Sequence, residues 1–204
     1  MVEDRNQPIE IQVGADASVE IDAAAGVVVV REGALRRILS FDEALLLSVQ
    51  RLRRPWRTLI ARTLTHLGDA KSWTIAGLAL LATGNARTVH LGLRLGAAAG
   101  LATLLSQALK RSLSRERPDS AIAGFEALAQ NPDQFSFPSG HTAAAFGVAV
   151  AFAGEPHALG PLSLLLAVGI ALSRVYLGAH YPLDVGAGAA LGVCAGLAAR
   201  LLVS

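Results

Sequence analysis

A chain of 204 residues that is 52% hydrophobic and 17% charged, with a mean hydropathy of +0.46, is too apolar for an ordinary soluble domain and reads as one membrane-embedded unit. Its single cysteine, Cys194, excludes a disulfide framework and a thiolate metal cluster. The formal net charge of +2 conceals an uneven spread of cations along the chain, and no nucleic-acid partner is expected.

Residues 1–38 form a polar extension. Its short alternations ("IEIQV", "SVEI") and a "VVVV" run suggest two or three weak strands, with disorder an equal alternative. No apolar core of a cleavable signal peptide follows the start. Residues 39–204 then read as the membrane-embedded domain. Between 41 and 69, apolar residues at helical spacing oppose Arg51, Arg53, Arg54, Arg57 and Arg62, the pattern of a helix lying in an interface. Each arginine would cost about 3 kcal/mol at the centre of a spanning helix, so this segment does not cross. Pro55 divides it in two. Trp56 and Trp73 suit an interface or a core equally.

Five apolar runs follow, at 72–84, 89–109, 139–154, 161–177 and 183–203. Crossing the hydrocarbon takes roughly 20 residues, so the second and fifth suffice and the others need flanking residues. The expected fold class is all-α: an integral membrane helical bundle of about five to six transmembrane helices, preceded by an amphipathic helical region. Abundant Gly and Ala suit close helix packing in lipid.

Polar residues collect at the ends of these runs. "KRSLSRERP" (110–118) sets Lys110 and Arg117 two turns apart on one face, and Pro118 stops the helix. In "FSFPSGHTAAAF" (135–146), Ser139 is a natural N-cap, Gly140 opens the helix and His141 stands in its first turn. The free N–H groups of such a start bind anions. "SRVYLGAHYPLDV" (173–185) carries Arg174, then His180, then Pro182 and Asp184 in the first turn of a further helix, where the carboxylate folds back toward the His180 ring. If the four last runs alternate in direction, all three groups reach one face of the membrane. Three cations and oriented amides then converge on an anion with several oxygens, such as phosphate. Two histidines supply a nucleophile and an acid–base for phosphoryl transfer, and an aspartate fixes the tautomer of one of them.

Together these segments resemble the three signature motifs of the type 2 phosphatidic acid phosphatase superfamily, K-x6-R-P, P-S-G-H and S-R-x5-H-x3-D, with every signature position filled in order. The arginine-rich helix and "LTHLGD" (64–69) are similar to the segment preceding the core in bacterial members. The resemblance implies His180 as a nucleophile forming a phosphohistidine, Asp184 as its orienting partner, and His141 as the acid and base. It implies Lys110, Arg117, Ser139, Gly140 and Arg174 as the phosphate cradle. No metal or other cofactor is implied. With His180 neutral and His141 protonated, activity should be bell-shaped, roughly between pH 5 and 8.

Other ionisable residues have plainer readings. Arg111, Arg115 and Arg200 are expected to snorkel to headgroups; His66, His90 and His157 to be interfacial or loop residues; and Glu116 to form a local ion pair. The cations set the orientation. On the active-site side fall Arg5, nine between Arg31 and Lys71, and Lys110, Arg111, Arg115, Arg117 and Arg174, leaving Arg87, Arg94 and Arg200 opposite. The positive-inside rule therefore expects a bacterial inner-membrane protein with a cytoplasmic active site. The expected partners are membrane lipids and a lipid phosphate substrate, either a prenyl-linked sugar phosphate such as a polyprenyl-phosphoryl phosphoribose, or phosphatidylglycerophosphate. The competing readings are an undecaprenyl diphosphate phosphatase with a periplasmic site, a vanadate-dependent haloperoxidase-like protein, and a non-catalytic membrane scaffold. The sequence is silent on oligomeric state.

Overall fold

The computed structural model describes residues 9–12, 17–22, 27–129, 133–155 and 158–204; Arg5 and His157 lie outside the described residues. The chain divides into two compact units, Met1–Leu45 and Leu46–Ser204. In the first, β1 (Ile9–Gln12), β2 (Ala17–Asp22) and β3 (Val27–Glu32) form an antiparallel meander, with Ile11 opposite Val19 and Val19 opposite Val30. Helix α1 (Ala34–Gln50) begins in this unit and ends in the second.

The second unit is helical. Pro55 stands at the first position of α2 (Pro55–Leu67), where its missing N–H leaves no bond unmade, so the proline divides the arginine-rich segment between α1 and α2. Then come α3 (Ala70–Ala82), α4 (Ala86–Leu113), the single-turn α5 (Pro118–Ala121), α6 (Gly140–Ala151), α7 (Leu159–Tyr176) and α8 (Pro182–Leu202). Helices α4, α7 and α8, of 28, 18 and 21 residues, are long and apolar enough to cross a membrane, while α3 and α6 are shorter apolar helices. Their exposed leucines, among them Leu104, Leu165, Leu172 and Leu201, are what a lipid-facing surface requires.

The run at 139–154 is longer than the helix it forms. Helix α6 has 12 residues, about 18 Å at 1.5 Å per residue and well short of a hydrocarbon core. Eight of the 12 are buried, packed against α4, α7 and α8, so α6 meets protein rather than lipid and has no need to span. Its closest neighbour is α8, along a stripe of glycines four residues apart. A Cβ at Gly188, Gly192 or Gly196 would fall 2.6, 2.4 or 2.4 Å from the carbonyl oxygens of Ser139, Ala143 and Gly147. Only hydrogen fits there, as in small-residue membrane helix pairs. This contact brings the N-terminal ends of α6 and α8 together, and Ser139 N–H donates to Asp184 O at 3.0 Å.

The helices alternate in direction. At one end, Arg94 of α4 donates to Val203 O beyond α8 at 2.9 Å and pairs with Glu155 beyond α6 at 3.2 Å; Arg87 meets Glu155 at 3.6 Å. The other end gathers the C-terminal turns of α4 and α7 with the starts of α6 and α8.

Candidate active site

His180 sits in the link between α7 and α8 with 1% of its side chain exposed. Gly178 makes that link possible: its φ is +74°, and a Cβ would lie 2.7 Å from Phe125 Cζ. Pro182 starts α8, and Asp184 completes a capping box in which its Oδ2 accepts the Tyr181 N–H at 2.9 Å. The same oxygen lies 3.7 Å from His180 Nδ1, an ion-pair distance longer than a hydrogen bond, and Nδ1 has no hydrogen-bond partner among the described residues. Burial, with Arg174, Arg117 and Lys110 nearby, pushes His180 well below the ordinary imidazole range, so it is neutral near pH 7.

The cations come from three elements. Lys110, in the last turn of α4, donates from Nζ to Asp133 Oδ2 at 2.6 Å and to Phe135 O at 3.1 Å. Arg117 caps α5, donates Nη1–H to Ala179 O at 2.7 Å and Nε–H to Asp133 O at 2.8 Å, and also bonds Asp133 Oδ1 through Nη2. Arg174, 2% exposed at the end of α7, donates to Thr65 Oγ1 at 2.6 Å. Ser139, fully buried, occupies the N-cap of α6 without a side-chain cap bond and instead accepts the Thr142 hydroxyl at 3.0 Å. Gly140 follows, where a Cβ would be 3.2 Å from Ser106 Oγ. His141 Nε2 lies 2.8 Å from Asp69 Oδ1. All eight residues singled out in the sequence thus lie at one end of the bundle, from four helices and three links.

Three further residues meet them there. Arg115, expected to snorkel, instead sets Nη1 2.7 Å from Asp184 Oδ1 and its guanidinium 4.0 Å over the Tyr181 ring. The apolar-run end disguised it, because its partner is 69 residues away. Asp133 places its carboxylate between Lys110 and Arg117; burial pushes this group up, but the hydrogen bonds and charges of the two cations outweigh that and hold it below the usual carboxylate range. Asp69 bonds two histidines, His141 and His66, and these overcome its desolvation to hold it low as well. His66, read as an interfacial or loop residue, thus has a partner. A cavity lined by Glu116, Arg117, Asp119, Ser120, Asp133 and Phe135 opens beside the cradle.

Buried cations around a helix start, a neutral histidine and a second histidine at the rim are an arrangement for phosphoryl chemistry, and the sequence relatives agree. Residues 91–204 match the family model described as the PAP2 superfamily. The chain belongs to that superfamily. The decaprenylphosphoryl-5-phosphoribose phosphatase of Mycobacterium tuberculosis is 38% identical over 144 residues, 70% of this chain and 78% of that protein. The phosphatidylglycerophosphatase B of Bacillus subtilis is 31% identical over 169 residues, 76% of this chain and 80% of its own. In three dimensions, the PAP2-type phosphatidylglycerolphosphate phosphatase from Bacillus subtilis superposes with a TM-score of 0.68 at 28% identity, covering 81% of this chain and 86% of that one. This chain is thus a helical PAP2 membrane protein whose relatives are named as phosphatases of lipid phosphates.

Proposed function

We propose that this PAP2 protein hydrolyses a lipid phosphate monoester through a phosphohistidine on His180. The observation that supports it most is the pairing of a buried, neutral His180 with Lys110, Arg117 and Arg174, whose charges act together on its protonation. With Nδ1 turned toward Asp184, Nε2 is the nitrogen left to attack phosphorus. In the first step the N–P bond forms, the ester P–O bond breaks, and His141 gives its proton to the leaving oxygen. In the second, neutral His141 takes a proton from the water that attacks phosphorus, the P–N bond breaks, and inorganic phosphate leaves. Lys110, Arg117, Arg174 and the first N–H groups of α6 at Ser139 and Gly140 balance the charge on the phosphoryl oxygens, so no metal or cofactor enters the proposal. Asp184, carrying Arg115 on its other oxygen, orients and stabilises His180.

The substrate we favour is a prenyl-linked sugar phosphate, with phosphatidylglycerophosphate next. The headgroup would occupy the cavity beside Arg117 and Asp133. We put the site on the cytoplasmic face of a bacterial inner membrane, a reading that the excess of cations at this end of the bundle supports through the positive-inside rule. Phosphate release from a panel of these lipids, with EDTA present, tests the proposal: wild type should release phosphate and His180→Ala should not. Equal release by both, or by neither, would sink it. Comparing inverted with right-side-out vesicles tests the side, and faster turnover in right-side-out vesicles would overturn the cytoplasmic placement.

A further inference from the structure

Asp69 holds the N-cap position of α3 and caps nothing. Its φ of −66° and ψ of 148° are those of a cap residue, yet its side chain makes no cap hydrogen bond. An aspartate here ordinarily accepts an N–H of the first turn, a bond that stabilises a helix. Both oxygens go to histidines instead: Oδ1 is 2.8 Å from His141 Nε2, and Oδ2 is 3.1 Å from His66 Nδ1.

The surrounding segment is built to hold that geometry. Trp73 Nε1 donates to Gly68 O at 3.1 Å, and Ser72 Oγ donates to His66 O at 2.6 Å, fixing the turn on which Asp69 sits. A Cβ at Gly68 would come 2.8 Å from Ile170 Cγ2 and 3.4 Å from His141 Cδ2, so glycine admits the turn against α6 and α7. His66, with 75% of its side chain exposed, holds the second oxygen of Asp69 from the solvent side.

We propose that Asp69 is the positioning residue of His141, so that the site contains two aspartate–histidine pairs, one for the nucleophile and one for the acid–base. This rests on the reading of His141 given above. A carboxylate facing Nε2 fixes the proton on that nitrogen and leaves Nδ1 to give a proton to the departing alkoxide and later to take one from water. Asp69 stays ionised throughout and stabilises the imidazolium before the first step and after the second. Burial and Arg174 push His141 down to about 4 while Asp69 opposes both, so the lost cap bond is exchanged for one that strengthens when His141 carries a proton.

The test is a leaving-group comparison. Asp69→Asn keeps the shape and removes the charge. Protonation matters for an alkoxide leaving group such as that of phosphatidic acid, and hardly at all for 4-nitrophenyl phosphate, whose leaving group is stable as an anion. The variant should lose on the order of 100-fold in kcat on phosphatidic acid with KM within about threefold, and less than about tenfold on 4-nitrophenyl phosphate. Asp69→Glu should restore part of the loss. Equal losses on both substrates, or no loss on either, would overturn the assignment; the aryl substrate also reports that the variant is folded. Failure of wild type on both substrates and on every lipid of the panel above would instead overturn the proposed function on which it rests.

Discussion

Lys110 Nζ lies 2.6 Å from Asp133 Oδ2, and the other oxygen of the same carboxylate is held by Arg117. Two cations expected to meet phosphate therefore meet a carboxylate, whose two oxygens take up directions that phosphoryl oxygens would use. On the proposed function, an incoming phosphate must displace it. Asp133→Ala should then lower the inhibition constant of orthovanadate by roughly tenfold, since about 1.4 kcal/mol of competition is removed. Titrating inhibition of both proteins checks this, and an unchanged or weaker constant would mean that Asp133 organises the cations instead of competing for them.

Arg115 carries the second prediction. Asp184 is fully buried, and the guanidinium of Arg115 is its charged partner at 2.7 Å. Arg115→Ala leaves Asp184 with less compensation and should cost about 2 kcal/mol in stability. It should also lower kcat, because Asp184, proposed above to orient His180, is then free to turn. Thermal unfolding and lipid-phosphate turnover read both effects; Arg115→Lys should recover part of the stability but lose the stacking on Tyr181.

Much of this site was legible along the chain because each group sits where an apolar run stops. His141, His180, Arg174 and Asp184 stand out in greasy surroundings, and an ionisable residue at a membrane boundary demands a reason. Asp69, Arg115 and Asp133 were not legible, since what marks them is a partner 72, 69 or 23 residues away. Asp69 in particular occupies an ordinary helix-cap position, which gives no hint of the histidines it meets. The short α6 was hidden for a similar reason. Hydropathy registers burial without distinguishing lipid from protein, so a central helix looks like an incomplete span.

The α6–α8 seam gives a third prediction. Gly192→Ala puts a Cβ 2.4 Å from the Ala143 carbonyl oxygen, a backbone atom with no room to move. Overpacking of this kind costs about 1–3 kcal/mol or more, and it pushes Ser139 away from Asp184. Both thermal stability and turnover should fall. Gly186→Ala, whose Cβ meets nothing within 4 Å, should leave stability unchanged or raise it.

Protonation of His180 sets the acid side of the pH response. Burial and the neighbouring cations lower its affinity for protons in the folded state, while the unfolded chain keeps an ordinary imidazole near 6.5. Below that pH the unfolded chain binds a proton that the folded site refuses, so stability rises with pH up to about 6.5 and falls as pH drops beneath it. The acid limb of kcat/KM should accordingly lie below the usual imidazole value. His180→Gln should flatten the stability difference between pH 5 and 7, measured by thermal unfolding.

The proposed mechanism stands on covalent phosphorylation of His180. Mixing the purified protein with a 32P-labelled lipid phosphate, quenching in alkali and counting label retained on the chain tests it directly. Alkali-stable, acid-labile label is expected on wild type and none on His180→Ala. Turnover with no trapped label, or label that persists in the variant, would contradict it.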